Sequence, residues 1–223
     1  MKFQLIVFDW DGTLMDSEAC IVEAMQYALA DLGTISRTPQ QIRNIIGLGL
    51  QEAVQALAPE VDAVQQLRIK ERYRAHYLTR AGVPSPLFPG AKRVVAELAE
   101  RGYRLAVATG KGREGLDRAL RESGLGAYFH LTRCVDEAFS KPHPDMLLQI
   151  MDALGVAPQD TLMVGDTEYD MQLAANAGAQ ALAVCYGVHE RERLLRHAPL
   201  ACLGDVRDIP GWLERLGSPS RPS

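Results

Sequence analysis

Two aspartates close the first apolar run of the chain, and that junction constrains the fold more than any other feature. Leu5-Ile6-Val7-Phe8 is four apolar residues in a row and runs straight into Asp9-Trp10-Asp11-Gly12-Thr13-Leu14. Such a run reads as a strand buried on both faces. On an extended backbone, side chains two apart share a face, so Asp9 and Asp11 point together while Trp10 points toward packing. Acids at the C-terminal end of a buried strand sit where open α/β sheets bind ligands. Two close carboxylates repel each other, so a positive group is expected beside them.

The rest of the chain agrees with a sheet of this kind. No strand signal follows until about position 102. The intervening block reads as helices over 18–32, 39–46, 51–57 and 62–79, the first carrying apolar Ile21, Ala24, Met25, Ala28 and Leu29 at helical spacing. After Gly82-Val83-Pro84-Ser85-Pro86 and Phe88-Pro89-Gly90 the pattern alternates. Helix 91–100 precedes strand 103–108, helix 114–122 precedes an apolar segment at 130–135, and helix 145–154 precedes strand 161–164. Helix 169–177 then precedes strand 181–186, with a last strand and helix within 201–216. Alternation predicts an α/β fold, a doubly wound, mostly parallel sheet covered on both faces. Residues 1–16 and 83–216 are then the core, 17–82 an inserted all-helical domain, and the Ser- and Pro-rich 217–223 a disordered tail.

Composition excludes several classes. A 223-residue chain that is 47% hydrophobic and 23% charged can bury a sizeable core. Its net charge of -4 argues against nucleic acid as the main partner, since phosphate backbones favour basic surfaces. No apolar run approaches the roughly 20 residues that span a bilayer, and the short opening run ends in acids, unlike a secretory signal. Cys20, Cys134, Cys185 and Cys202 are scattered without a CxxC pair, as expected of reduced thiols in a cytoplasmic protein. Nothing in the sequence signals a large assembly, so a monomer or small homo-oligomer is expected.

Each later strand ends in a distinct polar group. The second ends in Thr109-Gly110-Lys111, offering a hydroxyl and backbone N–H groups. Ser140-Lys141-Pro142 precedes a helix, with Pro142 and Pro144 stiffening the approach. The fourth ends in Gly165-Asp166-Thr167, with Asp170 four residues beyond Asp166. In a parallel sheet these ends share one edge. Taken singly, each has a plain structural explanation as a cap, a turn or a solvated charge. Taken together, the set suits phosphoryl transfer to a carboxylate. Oxygen ligands from Asp9 and Asp166, with little nitrogen or sulfur nearby, select Mg²⁺. Asp9 can attack phosphorus, Asp11 can serve as acid and then base, and Lys141, Thr109 and Gly110 can hold phosphoryl oxygens.

The segments Asp9-Trp10-Asp11-Gly12-Thr13-Leu14, Thr109, Lys141 and Gly165-Asp166-Thr167-Glu168-Tyr169-Asp170 resemble the four motifs of the haloacid dehalogenase superfamily. The resemblance runs from the first strand to about Val184. It is nearest to the phosphoglycolate phosphatase-like branch, which carries a helical cap after the first motif. It implies Asp9 as nucleophile and Asp11 as acid/base. It also implies Mg²⁺ held by Asp9, the Asp11 carbonyl and Asp166, with Asp170 as a further metal-site residue behind them. The implied activity is hydrolysis of a small phosphate ester, 2-phosphoglycolate first.

Other outcomes stay open. Members that cleave carbon–halogen or phosphonate bonds lack the second aspartate of the first motif, which this chain keeps as Asp11. Sugar-phosphate mutases resemble the chain but tend to carry a histidine where it has Ile21. A pyrophosphatase or nucleotidase of the same fold, a phospho-accepting module and a binding protein remain as alternatives. Within the inserted helices, the glycine-rich loop Gly47-Leu48-Gly49-Leu50 could dip toward the site with Arg43 neutralising a substrate carboxylate, or the loop could merely join two helices with Arg43 solvated. Hinges for cap movement are expected at 16–17 and 82–86.

Overall fold

The computed structural model describes residues 3–31, 33, 36–79 and 85–217. Six strands, β1 (Leu5–Phe8), β2 (Arg104–Thr109), β3 (Leu131–Cys134), β4 (Thr161–Gly165), β5 (Gln180–Val184) and β6 (Cys202–Leu203), form one sheet in the order β3-β2-β1-β4-β5-β6. Every pairing is parallel, and β1 lies between β2 and β4. The chain leaves β1 toward one edge and later returns to its other side, so the strand order reverses at β1. This is the switch point at which such sheets open a crevice.

Alternation along β1 explains why it is apolar throughout. Ile6 and Phe8 pack with helices α5 (Ala91–Glu100), α6 (Arg113–Ser123) and α10 (Ile209–Gly217). Leu5 and Val7 pack with α7 (Asp145–Leu154) and α8 (Glu168–Asn176) on the opposite face. The helices match by spacing: α5 buries Ala91, Val94, Val95 and Leu98, one stripe of a 3.6-residue period. Left-handed Gly124 and Gly155 terminate α6 and α7.

Between β1 and α5 lie α1 (Glu18–Ala30), α2 (Pro39–Arg43), α3 (Leu50–Leu57) and α4 (Ala63–Thr79). They share a hydrophobic cluster built on Met25, Leu29, Ile42, Val54 and Ile69, which Val188 from beyond β5 joins. Thr38 and Gln41 form a capping box that starts α2. Among the described residues, no helix is long and apolar enough to cross a membrane.

The sequence reading needs four adjustments. Helix α2 stops at Arg43 rather than Ile46, because residues 45–48 turn tightly to bring the glycine loop over the strand ends. A short helix α9 (Arg191–Leu195) went unforeseen, since five residues give too little periodicity to read. Gly217, assigned to the tail, ends α10, and the remainder of that tail, 218–223, lies outside the described residues. Residues 82–84 of the expected hinge also lie outside them.

Candidate active site

Parallel strand order brings the polar strand ends to one edge. Asp9 follows β1, Thr109 closes β2, and Asp166 follows β4, the last two on strands directly hydrogen-bonded to β1. Asp9, Thr109, Lys141, Asp166 and Asp170 are all buried.

Lys141 reaches the centre of this group. Its ammonium lies 2.8 Å from Asp9 Oδ1 and 2.6 Å from Asp170 Oδ1. The Asp9 contact is an ion pair, but no hydrogen bond of good geometry reaches Asp9 Oδ1. Asp170 is fully engaged. Its Oδ2 accepts from the Thr167 amide at 3.0 Å and hydroxyl at 2.7 Å, closing the capping box of α8, while Oδ1 takes Lys141. Asp166 accepts from the Thr13 hydroxyl at 2.7 Å and the Val188 amide at 2.9 Å.

Electrostatics here are unbalanced. Burial pushes the Asp9 carboxyl up to about 7; Lys141 offsets only part of that rise, and Asp170 and Asp11 add repulsion. Burial, then Asp9 and Asp170, lifts the Asp166 carboxyl well above the ordinary carboxylate range. Burial works against the Lys141 charge, but Asp170 and Asp9 outweigh it and raise its pKa. Oxygens of Asp9, Asp166 and Asp170 all lie within 4.8 Å of one another. Three carboxylates facing one ammonium, with an unmet acceptor on Asp9, fit a divalent cation bound by oxygen. Gly12 keeps that space open. Its φ is +83°, and a Cβ there would stand 2.2 Å from Asp166 Oδ2.

Asp11 occupies a different environment. Lys111 Nζ lies 2.9 Å from its Oδ2 and 3.0 Å from its Oδ1, and the Ser17 hydroxyl donates to Oδ1 at 2.6 Å. Lys111 also donates to the Tyr77 hydroxyl at 3.0 Å, linking the β2 end to α4. Burial opposes the Lys111 charge, but Asp11 and Tyr77 outweigh it and raise its pKa. In sequence this turn stands out for its hydroxyl and amides, and the structure adds the Lys111 side chain to the site. A cation two residues beyond Thr109 was the available signal.

A cavity of about 440 Å³ opens from Asp9, Asp11, Thr109 and Gly110 toward the helical block. Gly47 and Leu48 line it, so the glycine loop does reach the site. The approach is close: a Cβ on Gly110 would stand 2.6 Å from the Leu48 carbonyl oxygen and 2.9 Å from that of Gly47. Gly49 donates its amide to Ser140 Oγ at 2.8 Å, next to Lys141. Arg43 corrects the sequence reading. Its guanidinium pairs with Glu18, and it is not among the described residues lining the cavity. The turn after α2 directs the loop inward and leaves Arg43 beside α1. Tyr73 and Tyr77 do line the cavity, and the sequence reading missed them, although their i, i+4 spacing on α4 was visible.

Comparison with known proteins agrees with this geometry. A model of the haloacid dehalogenase-like hydrolase family matches residues 6–184. The chain is 36% identical over 216 residues to "Probable phosphatase IndB" of Dickeya dadantii, covering 95% of this chain and 94% of that protein. It is 28% identical to Pyrophosphatase PpaX of Anoxybacillus flavithermus, covering 99% of this chain and all of that one. A crystal structure described as a predicted phosphoglycolate phosphatase from Haemophilus somnus 129pt superposes with a TM-score of 0.84 at 26% identity. That superposition covers 96% of this chain and 99% of the other. With the parallel sheet, the acidic strand ends and a family match over most of its length, the chain belongs to the haloacid dehalogenase-like hydrolases.

Proposed function

We propose that this chain is a Mg²⁺-dependent phosphatase that hydrolyses a small phosphorylated metabolite through an aspartyl-phosphate on Asp9. The observation that carries this reading is the buried set of Asp9, Asp166 and Asp170 around a single Lys141, beside Asp11 and open to a cavity. In the first step an Asp9 carboxylate oxygen bonds to phosphorus, the ester P–O bond breaks, and Asp11 delivers a proton to the leaving oxygen. In the second, Asp11 takes a proton from water, whose oxygen bonds to phosphorus and releases Asp9 and inorganic phosphate. Splitting the reaction this way replaces one difficult displacement with two easier ones.

Lys141 and the amides around Thr109 and Gly110 bind the phosphoryl oxygens as charge shifts onto them. Asp9 and Asp166, with the Asp11 carbonyl, would hold Mg²⁺, and Asp170 would act from behind by fixing Lys141. Bound there, the cation neutralises carboxylate and phosphoryl charge. Residues 17–82 act as a cap whose loop at Gly47 and Leu48 covers the site and keeps water out during phosphorylation of Asp9. The four free cysteines fit a cytoplasmic enzyme.

On the substrate, 2-phosphoglycolate is supported by the resemblance and by the description of the Haemophilus somnus structure, and pyrophosphate by the PpaX relative. The test is phosphate release from a panel of both, with sugar phosphates and nucleotides, in Mg²⁺ and in chelator. Mg²⁺-dependent release that disappears in Asp9→Asn supports the mechanism. Release that persists in that variant would overturn it.

A further inference from the structure

We propose that the cavity selects a phosphate monoester whose leaving group carries a planar, uncharged body, and disfavours compact substrates whose leaving group is itself anionic. The proposal rests on the phosphatase reading above for the position of the phosphoryl group, and concerns what lies beyond it.

Size is the first observation. About 440 Å³ falls within the roughly 300–1,000 Å³ of clefts that enclose drug-sized ligands. A two-carbon acid or a second phosphate would leave much of this space to water against an apolar wall. That wall is the second observation. Ile21 and Met25 of α1, Ile45 and Leu48 of the loop, and Leu50 and Ala53 of α3 all line the cavity. Covering such a surface with an apolar body is favourable, roughly 25 cal/mol per Å² removed from water.

The third observation is aromatic. Tyr73 and Tyr77 stack with their ring centroids 5.7 Å apart and their planes 22° from parallel, and both line the cavity. The Lys111 ammonium holds the Tyr77 hydroxyl and lies over that ring, 4.8 Å from its centroid, so stacking against a planar ligand falls to Tyr73.

Charge is the fourth. Among the described residues lining the cavity, Asp9, Asp11, Glu114 and Asp136 face Lys111 and Arg74. Lys111 is already engaged by Asp11 and Tyr77, and Arg74 is exposed. Arg43 is held by Glu18. Carboxylates therefore outnumber cations around the cavity by four to two, which disfavours a second anionic group, and an uncharged body meets no such penalty.

Two comparisons on the full chain in Mg²⁺ test this. In the first, calorimetry measures binding of two non-hydrolysable phosphonates, 1-naphthylmethylphosphonate and 3-phosphonopropionate. The planar compound is expected to bind at least tenfold tighter, with the preference reduced in Tyr73→Ala and retained in Tyr73→Phe. Equal binding, or preference for the carboxylate compound, overturns the proposal in the unaltered protein, whatever the variants do. The second comparison is phosphate release from 1-naphthyl phosphate, 2-phosphoglycolate and pyrophosphate. Tighter planar binding without release from any ester would defeat the phosphatase reading and leave the selectivity standing. Release led by 2-phosphoglycolate or pyrophosphate, with no planar preference in binding, would do the reverse.

Discussion

The ammonium of Lys141 stands 2.8 Å from Asp9 Oδ1, with both side chains withdrawn from solvent. It arrives from a loop more than 130 residues further along the chain, and with Lys111, which pairs with Asp11, it supplies the positive charge expected beside the opening pair of aspartates. Asp170 shares it at 2.6 Å.

Removing that cation leaves buried carboxylates uncompensated. Lys141→Met is expected to destabilise the metal-free protein by about 3–5 kcal/mol, the usual cost of breaking a buried pair. Mg²⁺ should restore part of the loss, and phosphate release should fall to background. Urea denaturation with chelator and with Mg²⁺ checks the first two; an unchanged midpoint in chelator would mean that the pair carries no stability.

Asp9→Asn removes a carboxyl whose burial raises it to about 7. Turnover should fall by about a thousandfold or more. Stability at pH 8 in chelator should be no lower than that of the parent, because a costly buried charge has gone. Circular dichroism melts and phosphate release measure the two effects separately.

The pH dependence has a definite sign. Asp9, raised from 3.8 to about 7, binds its proton more tightly when folded, so its contribution to stability is complete below pH 4 and is lost as pH rises through 7. Asp166 is raised too and acts in the same direction. A divalent cation competes with those protons. Mg²⁺ should therefore raise the melting temperature more at pH 8 than at pH 5, and an equal shift at both would contradict the buried-acid account.

His189 works oppositely. Burial, with Arg193 nearby, lowers it from 6.5 to about 4, so its contribution is present above pH 6.5 and is lost as pH falls through 4. In His189→Asn, the loss of stability between pH 6.5 and 4 should be shallower than in the parent, as read from denaturation midpoints across that range.

Gly110→Ala tests the contact between the two parts of the site. Its Cβ would stand 2.6 Å from the Leu48 carbonyl oxygen, so the loop at 47–48 must move while β2 stays in place. Hydrogen exchange at residues 45–50 should quicken and kcat/KM should fall about tenfold, with the melting temperature of the core little changed.

The fold and the centre of the site were legible because each depends on a local rule. Four apolar residues ending in acids made β1 recognisable, and strands alternating with helices made the sheet parallel. Parallel strands then place their C-terminal ends on one edge whatever the details. Asp9, Thr109 and Asp166 could therefore be placed on that edge from strand position, while Lys141, seven residues beyond β3, stands out by its Ser-Lys-Pro setting and the family resemblance. The side-chain partnerships could not be read this way. Arg43 and Lys111 are both basic residues near loops in the sequence, yet one turns to Glu18 and the other to Asp11.

Sequence alone determined the sheet, the edge on which chemistry collects and the donor types gathered there, since backbone periodicity and strand order act through neighbours in the chain. Only the tertiary structure decided which cation meets which carboxylate, and that the cavity is walled in part by Ile21, Met25, Tyr73 and Tyr77. Those outcomes depend on how α1 to α4 pack over the strand ends. Contacts between distant segments are settled by shape and desolvation, which no local pattern encodes.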